Sequence, residues 1–153
     1  MTICVLGLGN TLLKDDGAGV RVAEALQELE LPPDVRVLDT GTAILRMLPE
    51  LTRADRIIVV DAVRAGGQPG DIYAFDDPRA PVPIVGSVHD VQFEDVLEQL
   101  RLLGCSPTVQ YYGIEPKEIA FSLDLSPEVA MSVPLLVRHI HAELQHPATI
   151  QIS

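Results

Sequence analysis

Apolar residues along this chain come in short runs separated by polar, Gly- and Pro-rich breaks. Residues 2–8 (Thr-Ile-Cys-Val-Leu-Gly-Leu) are nearly continuous in apolar character and end near Gly, as in a strand buried on both faces. A polar loop from Asn10 to Asp16 follows. Residues 17–30 then carry Val22, Leu26 and Leu29 at helical spacing with acids at the start, which predicts a helix. Pro32-Pro33 stops it. Residues 35–38 read as a second strand, Asp39-Thr40-Gly41-Thr42 as a turn, and residues 43–52 as a second helix. Residues 56–60 are a third apolar, β-branched run, ending at Asp61. Strand, helix, strand, helix, strand predicts a parallel sheet with right-handed crossovers.

Residues 64–70 form a Gly-rich loop. Residues 70–75 alternate polar and apolar, the signature of a half-exposed edge strand, expected to be antiparallel. The Pro-rich segment 78–83 reads as a loop. A helix is predicted over 90–103 with Val91, Val96, Leu97 and Leu100 as its buried face, and a strand over 108–114. Ser126-Pro127-Glu128 opens a final helix, with Ser at the N-cap and Pro at the first helical position. No repeat or linker interrupts the pattern. The expected fold class is α/β: a three-layer α/β/α sandwich on a mostly parallel, twisted sheet with an antiparallel edge strand, as one domain over residues 1–153.

Composition refines this picture in three ways. Aromatic residues make up 4% of the 153-residue chain and Trp is absent, so the core must be built from Val, Leu, Ile and Ala. The formal charge of −11 argues against nucleic acid or an anionic membrane as partner, because phosphate binding needs a basic surface; it permits cation binding. Cys4 and Cys105 belong to no C-x-x-C pattern and read as reduced thiols of a cytosol. The run Ile3–Leu8 lacks a basic leader, and no stretch approaches the roughly 20 apolar residues of a membrane helix. The expectation is a soluble, cytoplasmic protein. With no exposed apolar helix evident, a monomer is the default.

Candidate chemistry gathers at the ends of the predicted strands. Gly7-Leu8-Gly9 after the first strand invites a dinucleotide-binding reading, and Asp39 sits roughly where a ribose-binding acid would be. Leu12 stands where the fingerprint needs Gly. Asp15 and Asp16 occupy the helix start on which a pyrophosphate would rest, and two carboxylates repel it. No nucleotide cofactor is expected. One Asp suffices to cap the helix, leaving the other for the crevice beyond the carboxyl ends of the strands, where open α/β sheets bind ligands. Gly17 and Gly19 weaken a helix by about 1 kcal/mol each relative to Ala, so something other than helix stability favours them. Asp61 ends an apolar strand that gains nothing from a charge, unless it caps the following turn. His89 lies in a loop before a helix, with Asp90 beside it to cap the helix or to fix an imidazole tautomer. His139, His141 and His146, near the C-terminus, are weaker candidates. Two carboxylates and one imidazole suit a first-row transition metal with open positions. Spacing alone gives that set low specificity, and no H-E-x-x-H, G-x-S-x-G or Cys–His nucleophile pattern is present.

The segment from Gly7 to Gly19 resembles the opening G-x-G-N-x-x-x-x-D-D/E-G-x-G motif of the hydrogenase maturation proteases. Asp39-Thr40-Gly41-Thr42 looks like that family's D-x-G-T turn, and Asp61-Ala62 with Gly66 to Pro69-Gly70 like its strand end and following loop. Ser87-Val88-His89, Gly113-Ile114-Glu115-Pro116 and residues 125–129 continue the match nearly to the end of the chain. The resemblance implies a peptidase that trims the C-terminal extension of a nickel-loaded nickel-iron hydrogenase large-subunit precursor, its partner. Asp16, Asp61 and His89 would be the catalytic and metal-contacting residues, recognising nickel that the substrate supplies. Gly9, Asn10, Asp15, Asp39, Gly41, Thr42 and Asp90 would line or support the cleft. Two mechanisms stay open: nickel as a Lewis acid on the scissile carbonyl or a water, or nickel as a recognition mark with Asp16 or Asp61 as general base. A different metal-dependent amidase on the same fold and a nickel-delivering chaperone are the rival functions.

Overall fold

The computed structural model describes residues 1–76 and 88–146, with the backbone alone for residues 88–92. One five-stranded sheet runs in the order β2-β1-β3-β5-β4, with β1 at Ile3–Leu8, β2 at Val35–Gly41, β3 at Arg56–Ala62, β4 at Ile72–Phe75 and β5 at Thr108–Ile114. β1 pairs in parallel with β2 and β3, and β3 with β5. β4 joins antiparallel to β5 as the edge strand, as its alternation predicts.

Helices α1 (Ala18–Gln27) and α4 (Pro127–Gln145) cover one face; α2 (Leu48–Leu51) and α3 (Val88–Leu102) cover the other. Successive residues of the central strands feed the two cores alternately. Ile3, Val5, Ile58 and Val60 pack with Val22, Leu26, Leu136 and Ile140. Cys4, Leu6, Ile57 and Val59 pack with Leu51, Phe93, Val96 and Leu100. Each fully buried Leu, Ile or Val stabilises the fold by about 1.5–3 kcal/mol, and both layers are needed because β1 is buried along its whole length. The architecture is the expected α/β/α sandwich. Among the described residues no helix is long and apolar enough to cross a membrane.

Several boundaries differ from expectation. β2 continues through the Asp39-Thr40-Gly41 turn, because Gly7 and Leu8 of β1 go on pairing with Asp39 and Gly41. β3 continues through Asp61 to Ala62, since β5 supplies partners as far as Ile114. Residues 43–52 are not one helix but a 3-10 turn, Ile44–Met47, followed by α2; Pro49 lacks the amide a continuous helix would need and suits the first turn of a new one. Leu29 lies beyond the end of α1 and is exposed. On α3 the described inward residues are Phe93, Val96 and Leu100, with Leu97 half-buried; the Val91 side chain and the loop at 78–83 lie outside the described residues. α4 exposes Met131 and Leu135, so the premise that no helix presents apolar side chains does not hold.

Candidate active site at the carboxyl edge of the sheet

β1 leaves the sheet through Gly9, whose φ of 127° is open only to glycine; a Cβ there would lie 1.9 Å from the Asp16 carbonyl oxygen. Close approach also explains Gly19. A Cβ on it would lie 2.1 Å from the Val60 carbonyl oxygen and 2.6 Å from that of Leu8. The start of α1 is therefore pressed against the ends of β1 and β3, one residue before Asp61. The obstacles are backbone atoms that cannot rotate away. Gly19→Ala is accordingly expected to lose about 3 kcal/mol of stability in urea unfolding; a parent-like midpoint would mean that this contact is not needed.

Asp16 sits in a 3-10 turn, Lys14–Gly17, that packs on β3. It is half-buried, and its Oδ2 accepts the Asn10 amide at 2.8 Å. Asn10 Oδ1 in turn accepts the Leu12 amide at 3.0 Å, so Asn10 shapes the loop that carries the acid. Asp61 is fully buried, paired in register with Gly113, and its Oδ1 accepts the Ala62 amide at 2.8 Å. Both carboxylates thus stand at the same end of the sheet. His89 falls in the first turn of α3. That helix feeds β5 at its amino end, so its own start lies toward the carboxyl edge. The side chains of His89 and Asp90 lie outside the described residues. Among the described residues no three His, Cys, Asp or Glu side chains are grouped to hold a metal.

Asp15 does something the sequence reading did not anticipate. Neither it nor Asp16 caps a helix: no side-chain capping hydrogen bond is made at the 3-10 turn or at α1. Asp15 instead points inward, fully buried, and staples the segment between β5 and α4. Its Oδ2 accepts the amides of Lys117 and Glu118, both at 2.9 Å, and the Ser126 hydroxyl at 2.7 Å; its Oδ1 accepts the Ser126 amide at 2.8 Å. Ser126 holds the N-cap position of α4, as predicted, but spends its hydroxyl on Asp15 rather than on the helix. Burial raises the Asp15 pKa, and the hydrogen bonds from Ser126, Glu118 and Lys117 more than offset that, leaving it below the ordinary value.

Beside these acids, Gly9, Asn10, Leu12, Asp39, Gly41 and Thr42 line an open groove of about 390 Å³. Gly41 adopts φ 55° and its carbonyl accepts the Gly9 amide at 3.0 Å, which joins the two loops into one wall. Asp39 is exposed on that wall. Buried Thr40 locks it, donating its hydroxyl to the Gly7 carbonyl at 2.8 Å. A larger cavity of about 570 Å³ lies against the start of β5, lined by Glu94, Glu98, Arg101 and Cys105 among others. It is toward the opposite end of the sheet and shares no residue with the groove.

Sequence reasoning missed Glu115 as well. Its buried carboxylate accepts the amides of Ala65 and Gly67, at 3.0 and 2.9 Å, and the Tyr73 hydroxyl at 2.8 Å. This fixes the loop that leaves Asp61. Burial and the Glu115 carboxylate push the Tyr73 phenol up to about 12, so it remains a donor at neutral pH. The available signal was an acid closing an apolar strand, as Asp61 closes β3.

A mostly parallel sheet with Asp16 and Asp61 at its carboxyl edge and an open groove beside them defines an α/β protein with an acidic site at the strand ends. Comparison with known proteins makes this specific. A family model described as hydrogenase maturation protease matches residues 20–143. The hydrogenase 2 maturation protease of Escherichia coli K12 is 33% identical over 150 residues, covering 95% of this chain and 92% of that protein. The hydrogenase expression/formation protein HupD of Rhodobacter capsulatus is 36% identical over 149 residues, covering 94% and 71%. The solved structure of the hydrogenase maturating endopeptidase HybD from Escherichia coli aligns with a TM-score of 0.87 at 32% identity, covering 96% of this chain and 94% of that one. The chain belongs to the hydrogenase maturation protease family, and is a peptidase.

Proposed function

We propose that this peptidase removes the C-terminal extension of a nickel-iron hydrogenase large-subunit precursor, and that it recognises nickel already held by that precursor. The observation that carries the reading is the pair Asp16 and Asp61. Two carboxylates stand at one end of the sheet in a family of maturation proteases, with no serine or cysteine nucleophile pattern in the chain. Oxygen donors and an imidazole from His89 suit a first-row metal that keeps open positions for ligands from its own protein. Nickel is then part of the substrate.

Asp16 is half-buried and Asp61 fully buried, so Asp16 is the carboxylate that water can reach. In this reading water attacks the scissile carbonyl carbon, Asp16 accepts the proton, and that proton passes to the departing amide nitrogen. The metal, gripped from both sides, holds the peptide in register for that attack. The groove of Gly9, Asp39, Gly41 and Thr42 is assigned to the extended substrate chain.

The test is mass spectrometry of purified large-subunit precursor incubated with this protein, with and without nickel. Nickel-loaded precursor is expected to lose its C-terminal peptide, and nickel-free precursor to stay whole. No loss from the loaded form would overturn the assignment of this precursor as the substrate. Equal cutting of both forms would remove the metal-recognition role.

A further inference from the structure

The segment 117–126 between β5 and α4 has no regular structure, yet it is anchored throughout. Besides the Asp15 staple, the Lys14 amide donates to the Ser122 carbonyl at 2.9 Å and the Ser122 amide to the Leu12 carbonyl at 3.0 Å. Arg21 donates to the Leu123 carbonyl at 3.0 Å. Leu125 at the end of this strap packs inward against the core, but the stretch before it turns apolar side chains outward. Phe121 is 91% exposed and Leu123 64%, and Leu12, on the segment they bridge to, is 57%. Apolar side chains grouped in solvent on a fixed backbone mark an interaction surface.

We infer that Leu12, Phe121 and Leu123 form a docking ledge for an apolar segment of the hydrogenase large-subunit precursor, beside the point where its nickel meets Asp16. This rests on the precursor reading above. Continuity with the groove commits the ledge to that partner. Leu12 belongs to both surfaces, and Arg21, which holds Leu123, is paired at 3.3 Å with Glu24, another groove residue. Footprint makes the same point. A metal held by another protein reaches Asp16 only if that protein's surface closes over it, and a specific contact covers about 800 Å² on each partner. A strap hydrogen-bonded to residues 12–15 lies inside such an area. Nearby cations do not offer a competing electrostatic grip, because Lys14 is paired with Glu118 and Lys117 with Glu128, both at 2.9 Å. Aromatic side chains such as Phe are enriched at protein interfaces, and Phe121 is the most exposed apolar side chain of the ledge.

The test uses the full chain carrying Phe121→Ser and Leu123→Ser, with purified nickel-loaded precursor. Initial rates are followed against precursor concentration, and binding by biolayer interferometry. KM and Kd are expected to rise about tenfold or more, with kcat within about twofold of the parent and an unchanged Tm. Phe121→Leu, which keeps an apolar surface, is expected to retain most of the affinity. Unchanged KM and Kd in the double variant overturn the ledge and leave the processing reading standing. A parent chain that neither binds nor cuts the precursor overturns the processing reading and the ledge with it. A Tm lowered by several degrees would assign the patch to a contact within this chain. A parent dimer in sedimentation, dissociated by the double variant at unchanged KM, would assign it to a second copy. Either outcome overturns the inference.

Discussion

Asp16→Ala is expected to release the C-terminal peptide from nickel-loaded precursor at least about a thousandfold more slowly than the parent, while its circular dichroism spectrum stays the same. The size follows from what the side chain is asked to do. A positioned general base contributes about 10²–10⁴-fold, and loss of a metal contact adds misplacement of the scissile bond. A thousandfold corresponds to roughly 4 kcal/mol of transition-state stabilisation. The structural cost is small by comparison. Asp16 is half-buried and its Oδ2 accepts the Asn10 amide, a contact worth about 1 kcal/mol. Asp16→Asn is expected to keep that bond and still lose the activity, because an amide cannot take a proton from water. His89→Ala should match Asp16→Ala in effect if, as proposed, its imidazole shares the grip on the metal. Peptide release is followed by mass spectrometry from a fixed amount of loaded precursor. Normal processing by both Asp16→Ala and His89→Ala would place the site elsewhere on the protein.

The fold was legible because its local signals agree. Every residue of β1 is buried, so the strand shows no alternation; its shortness and its Gly end identified it instead. The edge strand declared itself by alternation because only one of its faces is covered. Boundaries failed where tertiary pairing extends an element past its local signal, as β5 does for β3 through Asp61 and Ala62. Two errors were avoidable. Pro49 marks the break between the 3-10 turn and α2, and Phe93, left out of the predicted buried face, stands at helical spacing from Val96 and Leu100, which were in it.

Placement was legible at Asp16, Asp61 and Gly9, to the extent that each stands at the carboxyl edge of the sheet. It was not legible at Asp15 or Glu115. The partners of Asp15 lie more than a hundred positions along the chain, and those of Glu115 lie 42 to 50 positions back. No local pattern encodes such contacts. From sequence a helix cap and a long-range staple within the chain look alike, since both are Asp beside a helix start. The structure separates them by burial: a cap can stay wet, whereas Asp15 has no solvent at all.

That burial makes Asp15 the position where substitution should cost the fold most. Asp15→Ala removes the acceptor of three amides and one hydroxyl, and a buried donor left without a partner costs about 1–3 kcal/mol. Relaxation of the exposed strap lets some of those amides reach water, so the expected loss is about 4 kcal/mol, not the full sum. For a domain of this size that lowers Tm by about 10 °C. Asp15→Asn is expected to be nearly as damaging, because its amide nitrogen turns a donor toward donors. The pH dependence identifies the carboxylate as the cause. The folded pKa is held below the unfolded value, so the stabilisation is fully present above the unfolded pKa of about 3.9 and is lost as pH falls through the lower folded value. Urea midpoints of parent and Asp15→Asn should therefore differ most at neutral pH and converge as the solution is acidified below about 3.9. An Asp15→Asn midpoint equal to the parent's at pH 7 would shift the anchoring of the strap to the Lys14 and Leu12 backbone contacts with Ser122. If Asp15 is the anchor, its loss also frees the ledge of Phe121 and Leu123. Asp15→Asn should then raise KM for the precursor under conditions where the chain remains folded, which ties the second acid of the Asp15-Asp16 pair to substrate capture through the strap it holds.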